Sequence, residues 1–240
     1  MNVALLRVGV DSGCGGIQGP VFATGDFEFI PIPDDRMLDI RTYGNTKGKS
    51  GRLLADFFPK GRQARMATQP MHVDPEFETF TYGDPTSPKR GLRKLQKGDL
   101  LVFYAGLAGF DGCTRPPGLY LIGYFEVEIA GFVNTFSPAQ ISAYFGQNFH
   151  VRHGSLLAQH QKVNDLVLVK GGAGSRLYQK AVLFSVTLIQ TGKSPLKVIS
   201  LPMRTVFGLF GNKYSFQRSP TRWVEPAYVN SAADYVRSLT

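Results

Sequence analysis

Three features of the sequence predict an α+β fold built on a small mixed or antiparallel β-barrel, elaborated by helices and long loops. The first is a pair of strand-length apolar runs, residues 100–104 (LLVFY) and 119–129 (LYLIGYFEVEI), separated by a Gly/Pro-rich connection. The second is the mixture of strand patterns and short helical patterns along the rest of the chain. The third is a 43% hydrophobic composition in 240 residues, enough for a substantial core. One α+β domain over residues 1–240 is expected, with the barrel core around residues 97–190 and the N-terminal strands packed on it.

The paired runs justify the centre of this fold. Lys97-Gly98-Asp99 reads as a turn, because glycine tolerates positive φ and aspartate can bond the backbone beyond it. In the second run Tyr120, Ile122, Tyr124, Val127 and Ile129 suit a pleated surface. Glu126 and Glu128 alternate with apolar neighbours, which marks a strand with one wet face. Upstream, residues 2–10 read as a strand and residues 11–19 (DSGCGGIQG) as a glycine-rich loop. Residues 21–22 and 26–32 read as short strands around a Thr24-Gly25-Asp26 hairpin signal. A short helix is expected over 52–58, ended by Pro59, and an irregular stretch over 67–87. Such a stretch inside a folded protein usually serves function or docking. Residues 88–96 form a short basic helix pattern, with Ser87 as cap and Pro88 at its first position.

Downstream, Ser137-Pro138 opens a helix that ends at Gly146, with Ile141, Tyr144 and Phe145 at helical spacing. Residues 150–161 read as partly helical and 165–170 as a strand, followed by a glycine-rich turn at 171–174. A helical turn or irregular bend is expected over 176–181, a strand over 182–190 and an edge strand over 197–201. Residues 226–239 carry the apolar stripe of a C-terminal helix, Val229, Ala232, Ala233 and Val236.

Charge narrows the partners. Lys and Arg total 27 against 18 acidic residues, a net charge of +9. The cations cluster at Lys47, Lys49 and Arg52; at Lys60, Arg62 and Arg65; at Lys89, Arg90, Arg93, Lys94 and Lys97; and at Arg204, Lys213, Arg218 and Arg222. Such clusters suit a polyanion, since each neutralised phosphate releases condensed counterions. The expected partner is DNA or a nucleotide, with Lys89, Arg90, Arg93 and Lys94 as the nucleic-acid-binding group. No apolar run reaches the eighteen or so residues of a membrane span. The first residues do not read as a signal peptide, and Cys14 and Cys113 cannot build a disulfide framework. A cytoplasmic location is therefore expected.

Several groups can carry chemistry. The loop after the first strand offers Asp11, Ser12, Cys14, Gly15 and Gly16, whose freed amides can cradle an anion, although it is neither a P-loop nor a dinucleotide fingerprint. Asp11 and Asp74 can act as general bases, His72, His150 and His153 as acids, and Cys14 as a nucleophile. His150 and His153 lie three residues apart, but no H-E-x-x-H or C-x-x-C partner accompanies them, so no metal is assigned and no cofactor is named. Lys170, Ser175 and Arg176 surround a glycine turn that can contact phosphate. Tyr104 and Tyr120 can stack an extruded base, and Asp99 and Asn148 can read a polar edge. These loops are expected to converge on one concavity.

Two resemblances follow from these residues. The G-D-apolar-F-Y strand answered by Y-L-I-G-apolar-F-E-V resembles the barrel of PUA-like domains, the group of the EVE, ASCH and YTH modules, which is associated with nucleic acids and often modified bases. Over residues 5 to about 229 the chain resembles the nucleotide-modification-associated domain family, third type. The resemblance is carried by LLRVGVDSGCGGIQGPVF, FIPIPDD, TYGNT, HVDPEFETFTYGDP, RGLRKLQKGDLLVFYAGL, GLYLIGYFEV, NFHVRH, DLVLVKGGAGSRLYQKAV and RWVEPAYV. It implies a role beside modified nucleotides in DNA. Three readings stay open: a module that binds a modified base, an enzyme (transferase, hydrolase or glycosylase) that acts on one, and a docking protein for a modification enzyme.

Overall fold

The computed structural model describes residues 1–154, 165–210, 215–216 and 220–239. His160, Lys213, Arg218 and the later part of the helix expected over 150–161 lie outside the described residues. The order is β1 (Val3–Val8), β2 (Gly19–Val21), β3 (Ile32–Pro33), α1 (Lys60–Ala67), β4 (Met71–His72), β5 (Thr81–Asp84), β6 (Leu100–Gly109) and β7 (Gly118–Phe132). There follow α2 (Pro138–Phe145), α3 (Phe149–Arg152), β8 (Val167–Gly171), β9 (Arg176–Leu183), β10 (Ser185–Gln190), β11 (Lys193–Ile199), α4 (Leu201–Phe207), β12 (Arg222–Trp223) and α5 (Val229–Ser238). Single 3-10 segments lie at Leu54–Phe57, Ser87–Lys94, Val133–Thr135 and Pro226–Tyr228.

The hairpin of β6 and β7 organises the sheet. On the outer edge of β6, β1 pairs in parallel from Val3↔Leu100 to Val8↔Ala105, and β2 resumes the same edge in parallel from Gly19↔Leu107. The opposite edge of β7 is also shared. There β8 pairs antiparallel with Val127 to Phe132, and β9 pairs with Tyr120 to Tyr124. β5 adds outside β8 and β12 outside β1, giving the order β12-β1-β6-β7-β8-β5. β10 with β11 and β3 with β4 form separate two-stranded ribbons. The α+β class holds, but the expected closed barrel is not found among the described residues. The pairing path ends at β12 and β5, which do not join.

Burial explains why the hairpin is central. Phe103, Phe125, Leu101 and Ile122 are fully buried, and each such side chain contributes about 1.5–3 kcal/mol by leaving water. Phe77 meets Phe29, Phe103 and Phe125 edge to face, and Phe80 meets Phe125. The irregular stretch before β6 is therefore anchored by its aromatics. Ser137 caps α2 through a reciprocal bond with Gln140, and the helix opens at Ser137-Pro138 as the sequence predicts. The apolar stripe of α5 buries Ala232, Ala233 and Val236, and the Tyr178 hydroxyl donates to Val236 O at 2.9 Å.

Some boundaries move, for identifiable reasons. The expected 52–58 helix is one 3-10 turn, because Phe58 precedes proline and is extended; the α-helix begins after Pro59. The basic 88–96 helix is also 3-10, with Thr86 rather than Ser87 at its cap. Residues 176–181 are strand rather than bend, since the free edge of β7 pairs them as part of β9, and the strand expected over 182–190 is divided between β9 and β10. Residues 26–31 make only isolated bridges, Val21↔Phe27 and Asp26↔Lys180, while Ile32 opens β3, and α4 follows β11 where an edge strand was expected to end at Leu201. Among the described residues no helix is long and apolar enough to cross a membrane.

Candidate functional site

Two segments distant in sequence bring two imidazoles and a carboxylate together. β4 pairs with β3 through Ile32↔His72 and so fixes His72 at the ribbon's end. Asp74 follows two residues on, and both its oxygens accept the amide of Gly83 in β5, at 3.2 and 3.0 Å. His150 arrives on α3, whose cap is Asn148; the Asn148 side-chain oxygen accepts the His150 amide at 3.1 Å. The Nε2 atoms of His72 and His150 are 3.2 Å apart, and His150 Nε2 lies 3.4 Å from Asp74 Oδ2. Phe149 stacks on the His72 ring at 4.0 Å between centroids.

This cluster forms the floor of a cleft of about 420 Å³ whose walls include Arg7, Ile32, Tyr82, Asp84, Thr86, Pro88 and Lys89. The side chains of His150 and Asp74 are each 4% exposed. Burial pushes the Asp74 carboxyl up to about 7, against the hydrogen bond and charge of His150 and the Gly83 amide, which pull it down. Burial, then the neighbouring His150 and Arg36, holds His72 well below the ordinary histidine range. His72 is therefore neutral near pH 7.

A second network clamps α3. Asp39 Oδ2 accepts from Arg152 at 2.8 Å and from Arg41 at 3.0 Å, and Arg41 also reaches Glu76 at 2.8 Å. Burial would raise Asp39, but hydrogen bonds from the Arg41 side chain and backbone and from Arg152 outweigh it and hold the carboxyl at about 2. Because Glu76 lies two residues beyond Asp74, this network ties the helix carrying His150 to the segment carrying Asp74. His153 faces Asp39 at 3.8 Å rather than the His72 cluster; burial, then Arg152, lowers its pKa.

The remaining candidates separate. Asp11, Ser12 and Cys14 line a different cleft with Gln18, Lys197 and Phe216; Arg7 lines both clefts and pairs with Asp11 at 3.3 Å. The amides of Gly13 and Cys14 donate to the Asp11 carboxylate and that of Gly16 to its carbonyl, so these donors turn inward. Arg62 holds the carbonyl of Gly15 at 2.9 Å. Lys170 donates to Thr79 O and lines a third cleft. Ser175 Oγ accepts the Glu126 amide within the turn between β8 and β9, and Arg176 lies over the Tyr124 ring. Asp99 binds the amide and side chain of Asn2 and the amide of Gln96. Tyr104 and Tyr120 are each 1% exposed, with Tyr104 against Phe184 and Phe216 and the Tyr120 hydroxyl on Pro116 O. Neither ring has a face open to a base. Lys89 lines the His72 cleft, Arg90 pairs with Asp165, Arg93 lies over Phe132, and Lys94 is exposed. The three loops expected to converge therefore do not share one cleft, although the clefts of the first two adjoin at Arg7.

Sequence reasoning named His72, Asp74 and His150 singly but grouped His150 with His153. It missed Asp39, Arg41, Glu76 and Arg152, whose spacing carries no motif.

Fold and cleft together define an α+β protein with a buried His–Asp–His cluster at the base of a surface cleft. The sequence matches the family described as nucleotide modification associated domain 3 over residues 2–238, and the chain belongs to that family. Membership associates it with nucleotide modification and suggests involvement in a DNA modification system. No curated protein and no solved structure matches the chain.

Proposed function

We propose that this protein is a component of a DNA base-modification system that takes a nucleotide into the His72–Asp74–His150 cleft and acts on it chemically. The observation that carries the reading is the cluster itself. Two imidazoles and a carboxylate are brought from two distant segments, residues 72–74 and α3, to the floor of one cleft, and buried titratable groups facing one another are characteristic of working sites. Its volume suits a single nucleotide, since small-molecule sites span about 300–1,000 Å³. Arg7 and Lys89 on the wall are suited to phosphate. The basic 3-10 segment that supplies Pro88 and Lys89 continues into Arg93 and Lys94, which extends a cationic surface toward the flanking backbone. A simple reader of the base would gain little from three buried proton-binding groups, which favours the enzyme reading.

Duplexes with plain and modified bases, titrated across a salt series, test the binding. Affinity is expected to fall with a log–log slope of about −3 to −6, and charge reversal at Arg93 and Lys94 to weaken all sequences alike. Mass spectrometry of the recovered nucleosides is expected to give a new mass with the native protein and none with His150→Ala. No DNA binding at low salt overturns the nucleic-acid reading; binding without any new nucleoside overturns the enzyme reading.

A further inference from the structure

We infer that His72, Asp74 and His150 form a binding site for one divalent transition-metal ion, with its open coordination position facing the cleft. The inference takes from the proposed function only the identity of the cleft as the working site.

The distances carry the argument. Two ligand atoms each about 2.0–2.1 Å from one tetrahedral ion are roughly 3.3–3.4 Å apart. The separations here are 3.2 Å between the two Nε2 atoms and 3.4 Å from His150 Nε2 to Asp74 Oδ2. The third pair, His72 and Asp74, is wider, with all three ligand atoms within 4.8 Å of one another, so an ion draws that imidazole and carboxylate together as it binds.

Hydrogen bonding alone serves this arrangement poorly. His150 Nε2 carries at most one proton, yet it faces His72 Nε2 and Asp74 Oδ2 together. A cation accepts a lone pair from each. Each ligand residue is also held by a neighbour: the Phe149 ring on His72, the Gly83 amide on Asp74 and the Asn148 cap on the backbone of His150. Two imidazoles with one carboxylate suit zinc, iron(II) or cobalt(II), whereas magnesium and calcium prefer all-oxygen sites. Three protein ligands leave a position for water or a substrate oxygen. The Nδ1 of His150 is buried without a hydrogen-bond partner. A carboxylate or carbonyl at such a nitrogen is worth about 10–100-fold in affinity. The site is accordingly one that binds metal reversibly rather than one that holds the fold together.

The test is a cobalt(II) titration of chelator-treated full-length protein, followed by calorimetry and visible absorption. One equivalent is expected to bind with d–d bands of a nitrogen/oxygen site, and zinc is expected to displace it. His72→Ala and His150→Ala should each weaken binding at least tenfold, while His153→Gln leaves the stoichiometry at one. Should the alanine variants fail to fold, spectra of zinc-loaded native protein with ¹⁵N-labelled histidine decide the matter: two of the four histidines are expected to show the ring-nitrogen shift of direct coordination. No saturable binding, or shifted signals from His153 or from no histidine, overturns the site. Protein that binds DNA but no cobalt refutes the metal site alone; protein that binds one cobalt but no DNA refutes the nucleotide reading alone.

Discussion

Gly83→Ala probes how closely the cleft floor is packed. The φ of Gly83 is outside the left-handed region, so alanine meets no backbone penalty there and the conflict is one of contact. A Cβ at this position would lie 2.8 Å from Asn148 Oδ1, 3.1 Å from His150 Cδ2 and 3.2 Å from Leu168 Cδ2. The nearest atom belongs to a fully buried side chain whose oxygen also holds the His150 amide. Relief at one contact therefore disturbs the next. Overpacking of this kind costs about 1–3 kcal/mol, while removing a glycine from the unfolded chain returns about 0.4–1 kcal/mol. A net loss of about 1–2 kcal/mol is expected, which for a domain of this size lowers Tm by roughly 2–8 °C. Thermal unfolding measures the loss, and the cobalt titration measures the displacement of His150 as weaker binding. An unchanged or raised Tm together with native cobalt affinity would refute the packing argument.

Two other perturbations bear on the surroundings of the site. The carboxyl of Asp39, held at about 2 against an ordinary 3.8, stabilises the fold fully above about pH 4, and that stability is lost as pH falls through 2. Asp39→Asn is expected to lower stability at pH 7 by at most about 2 kcal/mol, because the partly exposed Arg41 and Arg152 are screened by water. In urea unfolding the gap from the native protein should narrow at pH 3; equal gaps at pH 7 and pH 3 contradict the assignment. Gly61→Ala sits in α1 with nothing within 4 Å of the added carbon. It is expected to stabilise by up to about 1 kcal/mol through helix propensity, and a drop in Tm would count against that helix.

What was legible in the sequence follows from the range of each interaction. The 97–129 hairpin could be read because turn chemistry and alternation are local, and α2 because Ser137-Pro138 and the spacing of Ile141, Tyr144 and Phe145 are local too. The C-terminal stripe of Ala232, Ala233 and Val236 was equally local. The partner strands were harder. Residues 176–181 carry weak strand character and join β9 only because the edge of β7 accepts them, and α1 is hidden by its glycine and its many charges. At the site, His72 and His150 are seventy-eight positions apart, so no spacing rule could pair them, whereas His150 and His153 looked paired and diverge. The Asp39 network is invisible for the same reason.

Both strands of the central hairpin have an outer edge occupied in two instalments. On β6 the chain leaves after Val8, makes the excursion of residues 9–18, and rejoins the same edge at Gly19. On β7 it leaves after Gly171 and rejoins at Arg176. Each excursion thus has both feet nailed to a single strand. Its span is set by the hairpin and not by its own residues, and lengthening it costs only about 0.6 kcal/mol per doubling. The scaffold can accordingly exchange the rim of the Asp11 cleft, in length and in chemistry, while the hairpin that holds both feet keeps its register.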